Sequence, residues 1–448
     1  MAKDFTVLVV GAGANADFKL RKEGNKTKSI AMPTGEDLVG KIADWEGQVL
    51  PNLYWGFIAK IAAKYCEEPQ IEEVADLVAS HENEHNIYMV STTEIGKQIA
   101  LRIKNDFKSE LFFGDLSLSG FVVNRSQTNK NVAEKIKIDD QLCWYYKISE
   151  IVKHYQPFSI DEMLDSIKIG KIDITRWSND NEEIRRSLIQ AGKDLIALFL
   201  LQSEDKKVFD YESSCWYRHL RSAIINCGKN KREIEEELKN FVIISFNYDR
   251  SLDYFLRTRV GEFYDKIRVI YPYGSLAENE VWNAEKKDYQ KIPYASAENE
   301  KKFKNKWKNF QQAQELAKTL EVIGELEEIE KGKKKIAEVE KCVFGFCKIY
   351  FLGFAFHEEN CRIMGMLKPK FEGSHLGFLR ALKTNPVFYT NFGDSSKIKD
   401  GFDSVFNSSE SREGAWRRGD EFFEIGRSSK KGTYDALSQD FDLRLYKV

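Results

Sequence analysis

Four short, mostly apolar runs punctuate the chain, at 5–10 (FTVLVV), 241–246 (FVIISF), 267–270 (IRVI) and 347–352 (CKIYFL). They are too short for ordinary helices and largely lack the alternation of a half-exposed strand. Runs of this kind, rich in β-branched and aromatic residues, read as strands buried on both faces, as in a parallel sheet. Each stops abruptly in a polar or glycine-containing turn: Gly11-Ala12-Gly13-Ala14-Asn15-Ala16-Asp17, Asn247-Tyr248-Asp249, Tyr271-Pro272-Tyr273-Gly274-Ser275, and Gly353-Phe354-Ala355-Phe356-His357. The pattern predicts an α/β fold: a Rossmann-like, mostly parallel sheet with helices on both faces. Ligands of such sheets bind outside the carboxyl ends of the strands, which would gather the four turns on one edge.

Between the first two runs, three- and four-residue apolar spacing predicts helices over 58–65, 93–103 and 184–202. Ser159 with Glu162 three positions on has the form of a capping box. We expect a discontinuous core (1–40 and 151–370), a helical insertion (41–150) and a small peripheral C-terminal α/β tail (371–448). The charge-dense stretch 297–341 predicts a long solvated helix, broken near Gly332, or else a partner-binding face.

Composition narrows the function. Charged residues reach 31%, but 68 Lys+Arg and 70 Asp+Glu leave a net charge of -2, so overall charge gives no reason to expect direct nucleic-acid binding. A local basic patch remains compatible with this balance. The seven cysteines form no C-x-x-C pair and read as reduced thiols of a cytoplasmic protein. No stretch approaches the roughly 20 apolar residues of a membrane span. His81 and His85 have helical metal-ligand spacing, but no further ligand set accompanies them, and no metal is expected.

The turns hold the candidate chemistry. Gly11 and Gly13 allow a tight turn and close approach to a pyrophosphate, or simply a strand-to-helix connection. Asn247 and Asp249 offer an amide and a carboxylate for ribose hydroxyls or a water; the alternative is an Asx turn in which Asp249 starts the next helix. His357 is either a proton carrier or part of a helix start.

In this order, the first turn, Met32-Pro33-Thr34-Gly35 with Asp37-Leu38, Phe158-Ser159-Ile160-Asp161-Glu162-Met163-Leu164, Phe246-Asn247-Tyr248-Asp249, Tyr273-Gly274-Ser275 and the turn at 353–357 resemble the sirtuin-like nucleotide-binding domain in its prokaryotic branch. The resemblance covers roughly 5–40 and 155–365. It implies NAD as substrate or ligand, hydrolysis of NAD as the activity, a role in bacterial anti-phage defence, and a homo-oligomer or a second defence protein as partner. It places Gly11, Ala12, Gly13, Ala14, Asn15, Asp17, Thr34, Gly35, Gly274, Ser275, Gly353, Phe354 and Phe356 around the nucleotide. Asn247 would position ribose and water, and Asp249 would support it. The paired C-x-x-C zinc ribbon of the deacylases is absent, which points away from deacylation. The family's histidine near the Gly-Ser step is also absent, and Asn15 stands where serine is usual. Three alternatives follow: Tyr271 or Tyr273 replaces the histidine, His357 reaches in from its own turn, or the site holds a nucleotide without turning it over.

Overall fold

The computed structural model describes residues 5–15, 19–21, 27–29, 32–44, 137–157, 159–177, 180–210, 215–295, 312–367, 385, 387–390, 396–406 and 422–425. The helices expected at 58–65 and 93–103, and the His81/His85 pair, lie outside these residues. Among the described residues, ten strands follow in chain order: β1 (Phe5–Val10), β2 (Lys19–Arg21), β3 (Thr27–Ser29), β4 (Phe241–Ser245), β5 (Arg268–Ile270), β6 (Trp282–Asn283), β7 (Asp288–Tyr289), β8 (Phe346–Leu352), β9 (Val387–Thr390) and β10 (Phe422–Ile425).

Six of them make one sheet in the order β10-β9-β8-β1-β4-β5, and every neighbouring pair is parallel. The chain begins in the middle, steps outward through β4 and β5, then returns to the other side of β1 as β8 and steps outward again. This is the doubly wound Rossmann order, with its switch point between β1 and β8. The two C-terminal strands β9 and β10 extend this sheet instead of forming a peripheral tail. Two antiparallel hairpins, β2–β3 and β6–β7, stand apart from it.

All residues of β1 and β4 are buried, because the sheet is covered on both faces. Leu8, Val10, Phe241, Ile243, Tyr350 and Leu352 share one cluster with Leu220 and Ile224 of helix Tyr217–Asn226, Ile234 and Leu238 of helix Lys231–Leu238, and Leu252 and Phe255 of helix Ser251–Phe255. Their alternates Val7, Val9, Val242, Ile244, Ile349 and Phe351 point the other way and are just as inaccessible. Each such side chain contributes about 1.5–3 kcal/mol by leaving water.

The lysine-rich stretch differs from its expectation. It forms helices Ile323–Glu328 and Glu330–Phe344, which break at Ile329, where the backbone is extended. Gly332 lies inside the second helix, where a Cβ would stand 2.3 Å from the Leu326 carbonyl oxygen. Nor is that helix merely solvated, since Val339, Cys342 and Val343 are buried and it packs on β1 and β8. Ser159 does cap helix Ile160–Lys168, but through the Asp161 amide and not through a box with Glu162.

The chain folds as two compact units, 1–37 with 199–295 and 318–448, and 38–198 with 296–317. The helical unit thus reaches well past residue 150. At its core Asp194, on helix Glu182–Gln202, accepts hydrogen bonds from Tyr145 Oη (2.5 Å) and Gln190 Nε2 (2.8 Å), and Gln314 Nε2 donates to the same phenol (2.8 Å). Burial pushes the Asp194 carboxyl from its ordinary 3.8 to about 6, against these hydrogen bonds. Its folded-state affinity for a proton is raised, so the linked stability, about 3 kcal/mol, is fully present below pH ~4 and is lost as pH rises through ~6. Asp194→Asn is expected to be insensitive in that window, gaining on the native protein above pH 6. Denaturant midpoints of the two proteins from pH 4 to 7 check this; parallel pH curves would refute it.

Candidate functional site

Because β8, β1, β4 and β5 are parallel neighbours, their carboxyl ends lie side by side. Val10 pairs with both Ser245 and Leu352, and Ile244 with Ile270. The turns 353–357, 11–15, 246–249 and 271–275 therefore follow one another along a single edge.

At the switch point the glycines interlock. Gly353 adopts a left-handed conformation (φ +55°), and its carbonyl oxygen would lie 2.5 Å from a Cβ on Gly11 and 2.9 Å from one on Gly13. In return, a Cβ on Gly353 would fall 1.8 Å from the Ala14 nitrogen. Gly11 N donates to Leu352 O (2.9 Å), Gly13 N to Gly353 O (3.1 Å) and Ala14 N to Gly11 O (3.0 Å). Ala12–Asn15 form a 3₁₀ turn. The glycines thus serve the close approach of two backbones. That is a different use from the open pyrophosphate approach read from the sequence, for which three amides of this turn are already committed.

Asn15 is fully buried. Its Oδ1 accepts from Trp216 Nε1 (2.9 Å), and its Nδ2 donates to Asp249 Oδ2 (3.5 Å). Asp249 Oδ1 accepts from the Ser251 amide (2.8 Å), an Asx turn that opens helix Ser251–Phe255. Burial pushes the Asp249 carboxyl above its ordinary value, against the hydrogen bonds from Ser251 and Asn15. Asn247 is 8% exposed, and its Oδ1 is buried without a hydrogen-bond partner. A buried acceptor left unpaired costs about 1–3 kcal/mol, so such an atom calls for a ligand or a water.

The residues proposed to replace the histidine are placed differently. Burial, followed by the nearby Asp253 and Tyr264, holds the Tyr271 phenol well above 10, so it stays neutral and is no base near pH 7. Its Oη is also buried without a partner. Tyr273 is buried, with Oη donating to Asn360 Oδ1 (2.5 Å) and its ring against Phe246. His357 is half-buried at the cap of helix Glu358–Ile363. Its turn is separated from that of Asn247 by the width of β1, about 10 Å at ordinary strand spacing.

Gly274 (φ +79°) packs on the Thr319 carbonyl, and Ser275 is fully buried, with Oγ accepting from the Ala277 amide (3.2 Å). Phe354 and Phe356 join an aromatic group with Phe351, and Phe356 (φ +52°) also meets Tyr389 and Phe402. Thr34 caps helix Gly35–Ala43: its N and Oγ1 both donate to Asp37 Oδ2 at 2.8 Å, and Asp37 N returns to Thr34 Oγ1. Gly35 is the first residue of that helix. Asp17 lies outside the described residues.

Beneath the edge sits Arg250, with no exposed surface. It donates to Glu204 from Nε (2.8 Å) and Nη2 (2.7 Å), and to Glu280 and the Ile292 carbonyl from Nη1, under the Tyr289 ring. This ion triad anchors the segment that carries Asn247 and Asp249. Neither the triad nor Trp216 carries a signal in the sequence that would single it out.

No protein-family model matches the chain, and no curated protein or solved structure matches it. The architecture is Rossmann-like on its own strand order.

The interlocked glycines give a stability test. Gly353→Ala is expected to cost more than about 3 kcal/mol or to prevent folding, since the new methyl group meets backbone and the conformation is strained. Gly40→Ala, in a helix with open space around it, should be neutral or stabilising by up to about 1 kcal/mol. Equal urea midpoints for the two variants would contradict the interlock.

Proposed function

We propose that the chain hydrolyses NAD to ADP-ribose and nicotinamide at the carboxyl edge of its sheet, as an effector of bacterial anti-phage defence. The observation that carries the reading is the unpaired, buried amide oxygen of Asn247. It sits where a Rossmann sheet receives its ligand, and it is an acceptor waiting for a hydroxyl or a water. The defence role rests on the resemblance alone, as does assembly into an oligomer or with a second defence protein.

In this reading Asn247 Oδ1 orients the ribose and the attacking water. The glycosidic C–N bond breaks, its electron pair leaves with nicotinamide, and the water oxygen bonds to the anomeric carbon. Asp249 takes the water's proton, since Tyr271 stays neutral. A carboxylate lifted above its ordinary value by burial is a stronger base than a solvated one. Asn15 and the Ser251 amide hold it in place, and Trp216 holds Asn15.

A second reading has its own observation. The lack of a histidine beside Asn247 in the sequence favours a subunit that binds NAD or a derived nucleotide as a sensor or scaffold.

Nicotinamide release from NAD, followed chromatographically, separates the two. Asn247→Ala should lower turnover at least roughly 100-fold with no fall in melting temperature, a loss of the size seen when a positioning or general-base group is removed. Because Asp249 must be ionised to act, the acid limb of the native kcat profile should lie above an ordinary carboxylate, with activity falling as pH drops, and Asp249→Asn should be inactive throughout. Full turnover in Asn247→Ala would overturn the site assignment. Saturable NAD binding with no nicotinamide released would establish the binding reading.

A further inference from the structure

An indole N–H can only donate a hydrogen bond, and a carboxylate can only accept one. Asn15 stands between one of each, with its Oδ1 on Trp216 Nε1 at 2.9 Å and its Nδ2 on Asp249 Oδ2 at 3.5 Å. Asn15 and Trp216 are wholly buried and Asp249 is nearly so, which leaves little room for solvent to compete. The two ends of a side-chain amide are told apart by their partners. Were this amide reversed, its NH2 would face the indole N–H, donor against donor. The Tyr217 phenol also bonds Asn15, but a hydroxyl donates or accepts as required and suits either orientation. The indole alone is selective.

Trp216 comes to this point through the fold. It immediately precedes helix Tyr217–Asn226, its ring centroid lies 4.2 Å from that of Tyr217, and both residues share the buried cluster of Val10 and Ala14. The orientation it imposes bears on protonation, because a donor facing Asp249 favours the ionised carboxyl over the neutral one. Other ionisable groups feel the Asp249 charge. Tyr217, Tyr294 and Tyr271 are phenols that burial keeps neutral, and Glu204 is bound to Arg250.

We propose that Trp216 is a positioning residue for Asp249: its indole N–H locks the Asn15 amide so that a donor, never an acceptor, faces the carboxyl. The inference rests on the reading of Asp249 as the group that takes the water's proton. It adds to that site a residue that belongs to none of the turns.

The test is Trp216→Phe, which keeps an aromatic ring and removes the donor. Asn15 can then turn its oxygen to a protonated Asp249, so the acid limb of the kcat profile should move up by about one pH unit, the worth of one hydrogen bond. At the plateau, where Asp249 is ionised in both proteins, turnover should change far less. The carboxyl is also followed directly, by carboxyl-carbon NMR titration of the full chain labelled at aspartate, its signal assigned by its loss in Asp249→Asn. That titration should move up with the limb. Asn15→Leu, which removes the amide at similar volume, should raise it at least as far, and decides the matter if Trp216→Phe does not fold. A merely structural Trp216 would lower the melting temperature on substitution and leave the Asp249 titration in place, and that result would overturn the proposal. A titration that moves as described, in a chain whose native form releases no nicotinamide, would uphold the role of Trp216 and overturn the NAD-cleaving reading.

Discussion

The contact between Gly353 and the Gly11–Ala14 turn decides how close the two halves of the sheet can come. β1 and β8 meet at the switch point, and only chains without side chains at 11, 13 and 353 can bring these backbones together. The hydrogen bonds that follow, from Gly11 to Leu352 and from Gly13 to Gly353, carry the ladder past the ends of the strands. What a Rossmann sheet ordinarily leaves as a crevice is here closed at its base by main chain. Along that edge, at the end of β4, Asn247 keeps a buried oxygen without a hydrogen-bond partner. Arg250 and its two carboxylates hold that segment from below.

Much of this is legible from the amino-acid pattern. The doubly buried strands announce themselves, because a parallel strand covered on both faces has no reason to alternate. β9 and β10 escape such a reading, since each is only four residues long and stands among polar residues. In the lysine-rich region, propensity alone puts the break at Gly332. There the glycine answers a packing demand from Leu326, and the chain turns at Ile329 instead. Local preference yields to tertiary contact in such cases.

The site is legible in its positions and less so in its roles. Asn247 and Asp249 stand at the end of β4 as their spacing implies, while Asp249 also makes the Asx turn offered as its alternative use. Tyr271 and Tyr273 occupy the expected turn, but one phenol is too buried to ionise and the other is engaged by Asn360. Trp216 and Glu204 lie far from the motifs in sequence, Glu280 stands just past Ser275, and all three enter only through the fold. No periodicity marks a side chain whose importance is a hydrogen bond to a residue two hundred positions away.

The position of β1 also sets the order in which the molecule can assemble. Its neighbours are β4 and β8, reached only at Ser245 and Leu352. At ribosomal speeds of roughly 5–20 residues per second, a nascent β1 waits on the order of ten seconds or longer for its first partner, with both edges unpaired and an apolar sequence exposed. A central strand made before either of its partners gives a topology rich in distant contacts, which folds slowly. During synthesis, therefore, a strand that ends up buried along its whole length stays unpaired while more than two hundred residues follow it.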